Sequence, residues 1–222
     1  MASTKVILYS YWRSSCAWRV RTALNIKGIE FEYRAVHLVK DGGQQHGDEY
    51  KALNPTELVP TLVVQRPDQP DIVLTQSVAI LEFLEESDLW KDRQSLLPSD
   101  PQERAKVRSF VQTIASDTQP LQNLRVITHP LVADHKSEWV CHWVGRSFAA
   151  LEKGLEVSSG RFCFGDVLSL ADVCLVPQVF AARRFGLDLS PFPLITRIEQ
   201  ELLSLPEFAR AIPSAQPDAE AA

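Results

Sequence analysis

Over the first ninety residues the hydrophobic period changes in a fixed order, and that order leaves few folds open. Val6-Ile7-Leu8-Tyr9 is an unbroken apolar run, read as a buried strand over residues 5–10. Residues 15–27 then place Trp18, Ala23, Leu24 and Ile26 at helical spacing, and Gly28 stands where a helix commonly stops. Phe31-Glu32-Tyr33-Arg34-Ala35-Val36 alternates as a second strand. Residues 39–50 are polar and carry Gly42, Gly43 and Gly47, which predicts a flexible excursion. Asn54-Pro55 marks a turn, Val59 to Val64 a strand, Arg66 to Asp71 a loop with two prolines, and Ile72-Val73-Leu74 a short strand opposite. Thr75-Gln76-Ser77 leads into a periodic helix from Val78 to Leu84, with Ser77 as its expected N-cap. Strand, helix, strand, then strand, strand, helix is the pattern of a small α+β domain.

Beyond this domain the chain reads as helical to its end. Residues 87–101 hold charge, Pro98 and Pro101 and read as a linker. Asp100-Pro101-Gln102-Glu103 is a good helix start, with proline at the first helical position and acids in the first turn. In Ser169-Leu170-Ala171-Asp172 the acid can reach back to the serine, a capping arrangement, so Asp172 is read as structural. Trp139, Trp143 and Phe148 at near-helical spacing read as core. From Pro213 on, the chain is rich in alanine, proline and acids and is expected to be loose. The expected division is residues 1–87, a linker 88–97, and an all-helical domain over 98–222.

Composition narrows the function classes. Hydrophobic residues make up 45% of the 222, enough for a sizeable core. A net charge of −5 speaks against nucleic acid as the main partner. The start, Met1-Ala2-Ser3-Thr4-Lys5, has no signal-peptide apolar region, and no apolar stretch approaches the ~20 residues needed to span a bilayer. The final Ala219-Glu220-Ala221-Ala222 is not a peroxisomal ending. Cys16, Cys141, Cys163 and Cys174 form no C-x-x-C pair and no zinc spacing, which suits a reducing compartment, the cytoplasm first and the mitochondrial matrix second. The histidines show no H-x-x-x-H pattern; His135 and His142 lie seven apart, and no metal is expected.

Chemistry concentrates at Ser14-Ser15-Cys16-Ala17-Trp18-Arg19-Val20-Arg21, where a helix begins just after a strand and a short polar turn. Free N–H groups at such a start hold anions, and two hydroxyls and a thiol stand beside them. A thiol with a pKa near ~8.5 needs roughly 2.7 kcal/mol of differential stabilisation for its pKa to fall by about two units. A helix N-terminus supplies ~0.3–1 kcal/mol of that, up to ~2 when partly buried. A hydroxyl donating to the sulfur supplies the rest as a charge-assisted bond. Ser14 and Ser15 are candidates for that donor. Cys16 is the alternative, as a nucleophile of lowered pKa, although no second cysteine stands at the spacing of a dithiol mechanism.

These residues resemble the signature S-S-C-x-W-R-V-R of the zeta-class glutathione transferases. Similar segments come after it in order: Leu38 to Lys40 leading to Gln44-Gln45, Leu53-Asn54-Pro55, Val59-Pro60-Thr61-Leu62, Gln76-Ser77-x-Ala79-Ile80, Gln119-Pro120-Leu121-Gln122-Asn123-Leu124, and Ala171-Asp172-x-Cys174-Leu175-Val176-Pro177-Gln178. The resemblance runs from Lys5 to about Pro206. It implies a thioredoxin-like domain followed by a helical one, glutathione as a regenerated cofactor, and maleylacetoacetate isomerase activity in phenylalanine and tyrosine breakdown, in a homodimer. It also implies site roles. Ser15 is the first choice for activating the thiolate, Ser14 the second, and Cys16 lines the site. Val59-Pro60 is like the fold's cis-proline turn, which presents the Val59 backbone to the cysteinyl part of glutathione. Gln76 and Ser77 would take the γ-glutamyl end, Gln45 the glycyl end, and Gln119 and Asn123, four apart on one expected helix face, would help line the site. Arg125 departs from the family, which often carries serine there. The substrate, maleylacetoacetate or a related dicarboxylate, is a dianion, and a cationic clamp is expected. Arg184 before Phe185 is the best match, with Arg19 and Arg13 behind it. Two other readings stay open. One is displacement of halide from α-halo acids by the same thiolate, which can share the site and is not separated from the isomerase by the sequence. The other is a non-catalytic binding module, against which the Ser15, Val59-Pro60 and Gln76-Ser77 set speaks.

Overall fold

The computed structural model describes residues 4–220. Met1–Ser3, on which the leader reading falls, and Ala221–Ala222 at the end of the tail lie outside the described residues. The chain divides into two compact units, one of residues 1–94 with 206–222, the other of residues 95–205.

The first unit is built on a four-stranded sheet. Its elements are β1 (Lys5–Ser10), α1 (Ser15–Ile26), β2 (Glu32–Ala35), α2 (Asp48–Leu53), β3 (Thr61–Gln65), β4 (Ile72–Thr75) and α3 (Ser77–Glu86). The strand order is β2-β1-β3-β4, with β1 and β2 parallel and the other two pairs antiparallel. Val6, Ile7 and Leu8 of β1 and Leu62, Val63 and Val64 of β3 are all buried, so both faces of these strands are covered. A strand covered on both faces reads as a continuous apolar run, which explains Val6-Ile7-Leu8. Trp18, Val20 and Leu24 of α1 and Ile80, Leu81 and Leu84 of α3 complete this core. Gly28 sits at φ +60 after α1, the left-handed conformation a helix stop requires.

Four expectations change here. The 39–50 excursion is ordered: single 3-10 turns at Lys40–Gly42 and Gln44–His46 lead into α2, and Gln45 is buried. Ser77 is the first residue of α3, and Gln76 takes the cap position without a side-chain cap bond. The 88–97 linker is no free tether. Lys27 Nζ donates to the Gln94 carbonyl in the first unit, while Leu96 and Leu97 are buried in the second, where the Leu96 carbonyl accepts from Leu170 N–H. The segment from Pro206 groups with the first unit, not with the helical one, and from Pro213 to Glu220 it is not loose. Pro213 and Gln216 are buried, and Gln216 Nε2 donates to the Arg210 and Ile212 carbonyls; before them Phe208 and Ala211 are fully buried.

In the second unit, α4 (Pro101–Gln112), α5 (Leu124–Ile127), α6 (Lys136–Ser158), α7 (Leu170–Arg184) and α8 (Pro193–Leu203) surround a helical core; the short α9 (Pro206–Ala209) opens the returning tail. Asp100 Oδ1 accepts from the Gln102 and Glu103 N–H groups with Pro101 at the first position, as the sequence predicts. Val140, Val144, Phe148, Leu151 and Leu155 form the buried stripe of α6, while Trp139 and Trp143 are only half-buried at its margin. The first ten residues of α7, Leu170 to Val179, are buried all round, as expected of a core helix. Asp172 accepts from Ser169 N–H, Ser169 Oγ and Cys163 N–H, and burial pushes its carboxyl above the ordinary range against the pull of those bonds.

Candidate active site

The register of the sheet brings the sequence-predicted residues of the first unit to one end. Tyr9, Thr61 and Thr75 lie in one row across β1, β3 and β4, and Ser10 pairs with Ala35 beside them. The chain therefore leaves β1 into the turn before Ser14, enters β3 from Val59-Pro60, leaves β4 into Gln76-Ser77, and leaves β2 into the segment carrying Gln45, all at that end.

Ser14 is the N-cap of α1: its Oγ accepts from Ala17 N–H at 3.2 Å and its carbonyl takes Trp18 N–H. Its hydroxyl proton stays available to a further acceptor. Ser15 is the first helical residue, half-buried, and among the described residues its hydroxyl and amide and the Cys16 amide have no hydrogen-bond partner. Cys16 comes next, half-buried with a free thiol. Three donors of one helix start thus face no protein acceptor, the arrangement that receives an anion. Arg13 is held beside this start by its Nη2 bond to Tyr11 OH at 3.1 Å and by stacking 4.6 Å over the Trp12 ring.

The Val59–Pro60 peptide is cis. Two residues that the sequence reading missed hold it. Asn54 is 1% exposed and donates from Nδ2 to the Leu58 carbonyl at 2.7 Å and to Thr61 Oγ1 at 3.0 Å. Tyr50 OH bonds the same two groups at 2.7 and 2.9 Å. Asn54 Oδ1 in turn accepts from Thr56 N–H and Thr56 Oγ1. The available signal was Asn54-Pro55, read as a turn and as part of a family-like segment, with no hint that the amide looks forward across four residues.

At the start of α3, Gln76 has φ +69 and ψ 115. A non-glycine residue there is strained by roughly 1–3 kcal/mol, and such residues cluster at functional sites. Ser77 Oγ accepts from Arg19 Nη1 at 3.2 Å. Arg19 is 1% exposed, and its Nε and Nη2 have no hydrogen-bond partner. An unpaired buried guanidinium is costly, so a helix N-terminus backed by one is a strong receptor for a carboxylate. Gln45 is also buried, with Nε2 on the Leu38 carbonyl and no partner for Oε1. Gly43 lies close by at φ +100, a conformation that favours glycine, and a Cβ there would fall 2.5 Å from the Gln45 amide.

The other predicted residues belong to the second unit. Gln119 and Asn123 do not share a helix face. A π-helical turn over Thr113–Thr118 gives way to a 3-10 turn over Gln119–Gln122, and Asn123 is the N-cap of α5 with ψ 145. Pro120 lacks the N–H that would continue the helix. Gln122 and Gln178, unmarked by the sequence reading as functional, exchange amide bonds at 3.0 and 3.3 Å in the core. Arg184 ends α7, exposed, 5.2 Å over the Phe185 ring, and Arg125 N–H caps onto Asn123. A cleft of about 910 Å³ in this unit, lined by Leu97, Phe110, Leu151 and Phe164 among others, contains none of the predicted residues. Among the described residues, no group of three or more His, Cys, Asp or Glu could hold a metal, and no helix is long and apolar enough to cross a membrane.

Comparison with known proteins adds to this geometry. The glutathione S-transferase N-terminal domain family matches residues 13–87, and the C-terminal domain family matches residues 142–206. The chain is 51% identical to probable maleylacetoacetate isomerase 2 of Drosophila melanogaster, over 96% of this chain and 89% of that one. It is 50% identical to maleylacetoacetate isomerase of Dictyostelium discoideum, over 99% of each. Among solved structures, maleylacetoacetate isomerase of Anaeromyxobacter dehalogenans 2CP-1 with glutathione in its active site is 43% identical, with a TM-score of 0.88 over 99% of this chain and 100% of that one. A bacterial maleyl pyruvate isomerase, described as a zeta-class glutathione-S-transferase, is 40% identical, with a TM-score of 0.87 over 96% of this chain and 100% of that one.

Proposed function

The chain belongs to the zeta class of the glutathione transferases, the family of the maleylacetoacetate isomerases, and on that premise we propose that it isomerises maleylacetoacetate to fumarylacetoacetate with glutathione as a regenerated cofactor. The observation that carries this reading is the meeting of two helix starts at one end of the sheet, each with donors that the protein leaves unpaired: Ser15 at α1 and Arg19 behind Ser77 at α3.

The residues fit glutathione. The Arg19 guanidinium, read from the sequence as a secondary substrate clamp, is buried on Ser77 Oγ, and there it and the first turn of α3 suit the γ-glutamyl carboxylate, with Gln76 for its amino group. The Val59 backbone, fixed by Asn54 and Tyr50, suits the cysteinyl amide in the manner of an added strand. The unpaired Gln45 Oε1 suits an N–H of the glycyl end. When bound as thiolate, glutathione would supply a nucleophile that adds reversibly to the cis double bond and is expelled after rotation about the resulting single bond, so that the double bond re-forms trans and the thiolate is returned.

Ser15 is assigned as the hydroxyl that donates to the sulfur, with the Ser15 and Cys16 amides sharing its charge. Ser14, engaged as the cap, is second in that role, and Cys16 lines the site. Arg184 is assigned to a substrate carboxylate, Arg13 is an auxiliary cation, and Gln119 and Asn123 are assigned to lining residues; these four rest on the family resemblance. The same resemblance supports phenylalanine and tyrosine breakdown as the setting, a homodimer, and the cytoplasm as the compartment.

The test is turnover of maleylacetone with glutathione by the wild type and Ser15→Ala. Loss of one charge-assisted bond of ~1.5–3 kcal/mol lowers the rate about tenfold to a hundredfold with the fold retained. Full activity in Ser15→Ala would remove Ser15 from the role.

A further inference from the structure

The returning tail touches the turn that aims α1. Trp12 is the centre of that turn, which is closed by Ser14 N–H on the Tyr11 carbonyl at 2.9 Å. Both backbone polar groups of Trp12 are taken from outside the turn. Its carbonyl accepts from Arg21 Nη2 at 3.0 Å, and its N–H donates to Asp218 Oδ2 at 3.1 Å. The other Asp218 oxygen accepts from Tyr33 OH on β2 at 2.6 Å. Arg21 is buried and spends its remaining donors on Ser10 Oγ, the Tyr11 carbonyl and the Ala211 carbonyl, so it ties β1, the turn and the tail together. Two residues beyond Asp218, Glu220 reaches His37 and Lys40 at the root of the segment that carries Gln45.

The sequence offers no local reason for this. Asp218 lies 206 residues from Trp12 and 185 from Tyr33. An exposed tail acid would be indifferent to the site, but this one is half-buried and bonded through both oxygens. Nothing in the turn itself satisfies the Trp12 N–H, so without the tail that amide would turn to water and Trp12 would lose one of its two outside bonds.

We propose that Asp218 is a positioning residue for the isomerisation: by holding the Trp12 amide and the Tyr33 hydroxyl it sets where α1 begins, and so where the Ser14 and Ser15 hydroxyls meet the sulfur. It acts through the turn and touches neither glutathione nor substrate. This rests on the reading of the α1 start as the thiolate site.

The experiment compares full-length wild type, Asp218→Ala, Asp218→Asn, Tyr33→Phe and Ser15→Ala. Three quantities are read: the pH titration of thiolate absorbance of bound glutathione, kcat with maleylacetone, and Tm. Asp218→Ala lowers kcat about tenfold, the order expected when a catalytic donor is misplaced by a fraction of an ångström. It also moves the bound-thiol titration to higher pH. Asp218→Asn keeps one carbonyl acceptor and gives an intermediate result in both readouts. Tyr33→Phe, which frees one oxygen of the same carboxylate, shifts both in the same direction by less. Should Asp218→Ala fail to fold, Asp218→Asn decides by the same readouts. A lowered Tm with the wild-type titration and kcat retained in the folded Asp218 variants would make the contact purely structural and overturn the proposal. If Ser15→Ala also left the thiolate titration unmoved, the site reading itself would fall; if Ser15→Ala moved it and the Asp218 variants did not, only the tail's role would fall.

Discussion

Asn54 and Tyr50 hold the same two groups: both donate to the Leu58 carbonyl, and at Thr61 Oγ1 Asn54 donates while the Tyr50 oxygen accepts the Thr61 proton, a redundancy that makes a quantitative prediction about the turn that presents Val59. Asn54→Ala removes two donated bonds and the two that Oδ1 accepts from Thr56, yet Tyr50 OH still donates to the Leu58 carbonyl and still accepts the Thr61 hydroxyl proton. At ~0.5–1.5 kcal/mol net per bond, with the Thr56 groups free to turn to solvent, the single change costs about 2 kcal/mol. Tyr50→Phe removes one hydroxyl while Asn54 Nδ2 still donates to the Leu58 carbonyl and Thr61 Oγ1, and costs about 1 kcal/mol. The double variant loses the backup as well. Thr61 is fully buried, so its hydroxyl is left with no partner among the residues that held it. An orphaned buried group adds ~1–3 kcal/mol. The expected total is therefore about 4–6 kcal/mol, with a coupling of at least about 1 kcal/mol beyond the sum. For a chain of this size each kcal/mol moves Tm by roughly 2–4 °C. Urea denaturation of the four proteins measures the cycle, and KM for glutathione reads the turn's function, rising most in the double variant. Independent sites add within ~0.3–0.5 kcal/mol; additivity of that quality would show that Asn54 and Tyr50 do not support the same two groups.

The first unit carries two more expected outcomes. Lys27 and Glu85 form an ion pair at 2.7 Å with side chains only 2% and 3% exposed. Lys27→Met removes the cation paired with a buried carboxylate and costs about 3–5 kcal/mol by denaturant titration, whereas combining it with Glu85→Leu restores most of that loss. Glu32 is held down to about 2 by hydrogen bonds from Arg34 and then Lys5. A lowered carboxyl favours the fold above its unfolded value and loses that advantage as the proton returns. The Tm gap between wild type and Glu32→Gln is therefore full at neutral pH, shrinks as pH falls from about 4.5 to about 2, and closes below that; a gap that widened with acid would contradict the assignment.

Much of the architecture was legible because it is written in short-range contacts. A hydroxyl or acid at a helix start satisfies an amide two or three residues on, so the helix starts at Asp100 and at the Ser169–Asp172 pair could be read directly. Period-2 and period-3.6 patterning located the strands and helices. The same local logic failed where a competing interaction came from elsewhere. Ser77 looked like a cap but is taken by Arg19 from 58 residues away. Gln119 and Asn123 looked like one helix face, but Pro120 sits between them and the backbone changes type. The glycine-rich 39–50 stretch looked mobile, yet Gln45, with Gly43 packed close against it, is buried.

The sequence by itself determined the order of elements, the positions of the helix starts and the family likeness. Those depend on bonds within one turn and on which face of an element is apolar. Tertiary structure decided the rest: that four separate connections open at one end of the sheet, that Asn54 and Tyr50 prop the Val59 turn, and that the tail returns to hold Trp12 and Tyr33. Such contacts join residues up to 206 positions apart. Their partners are set by chain closure and shared burial, to which no single stretch of sequence gives a sign.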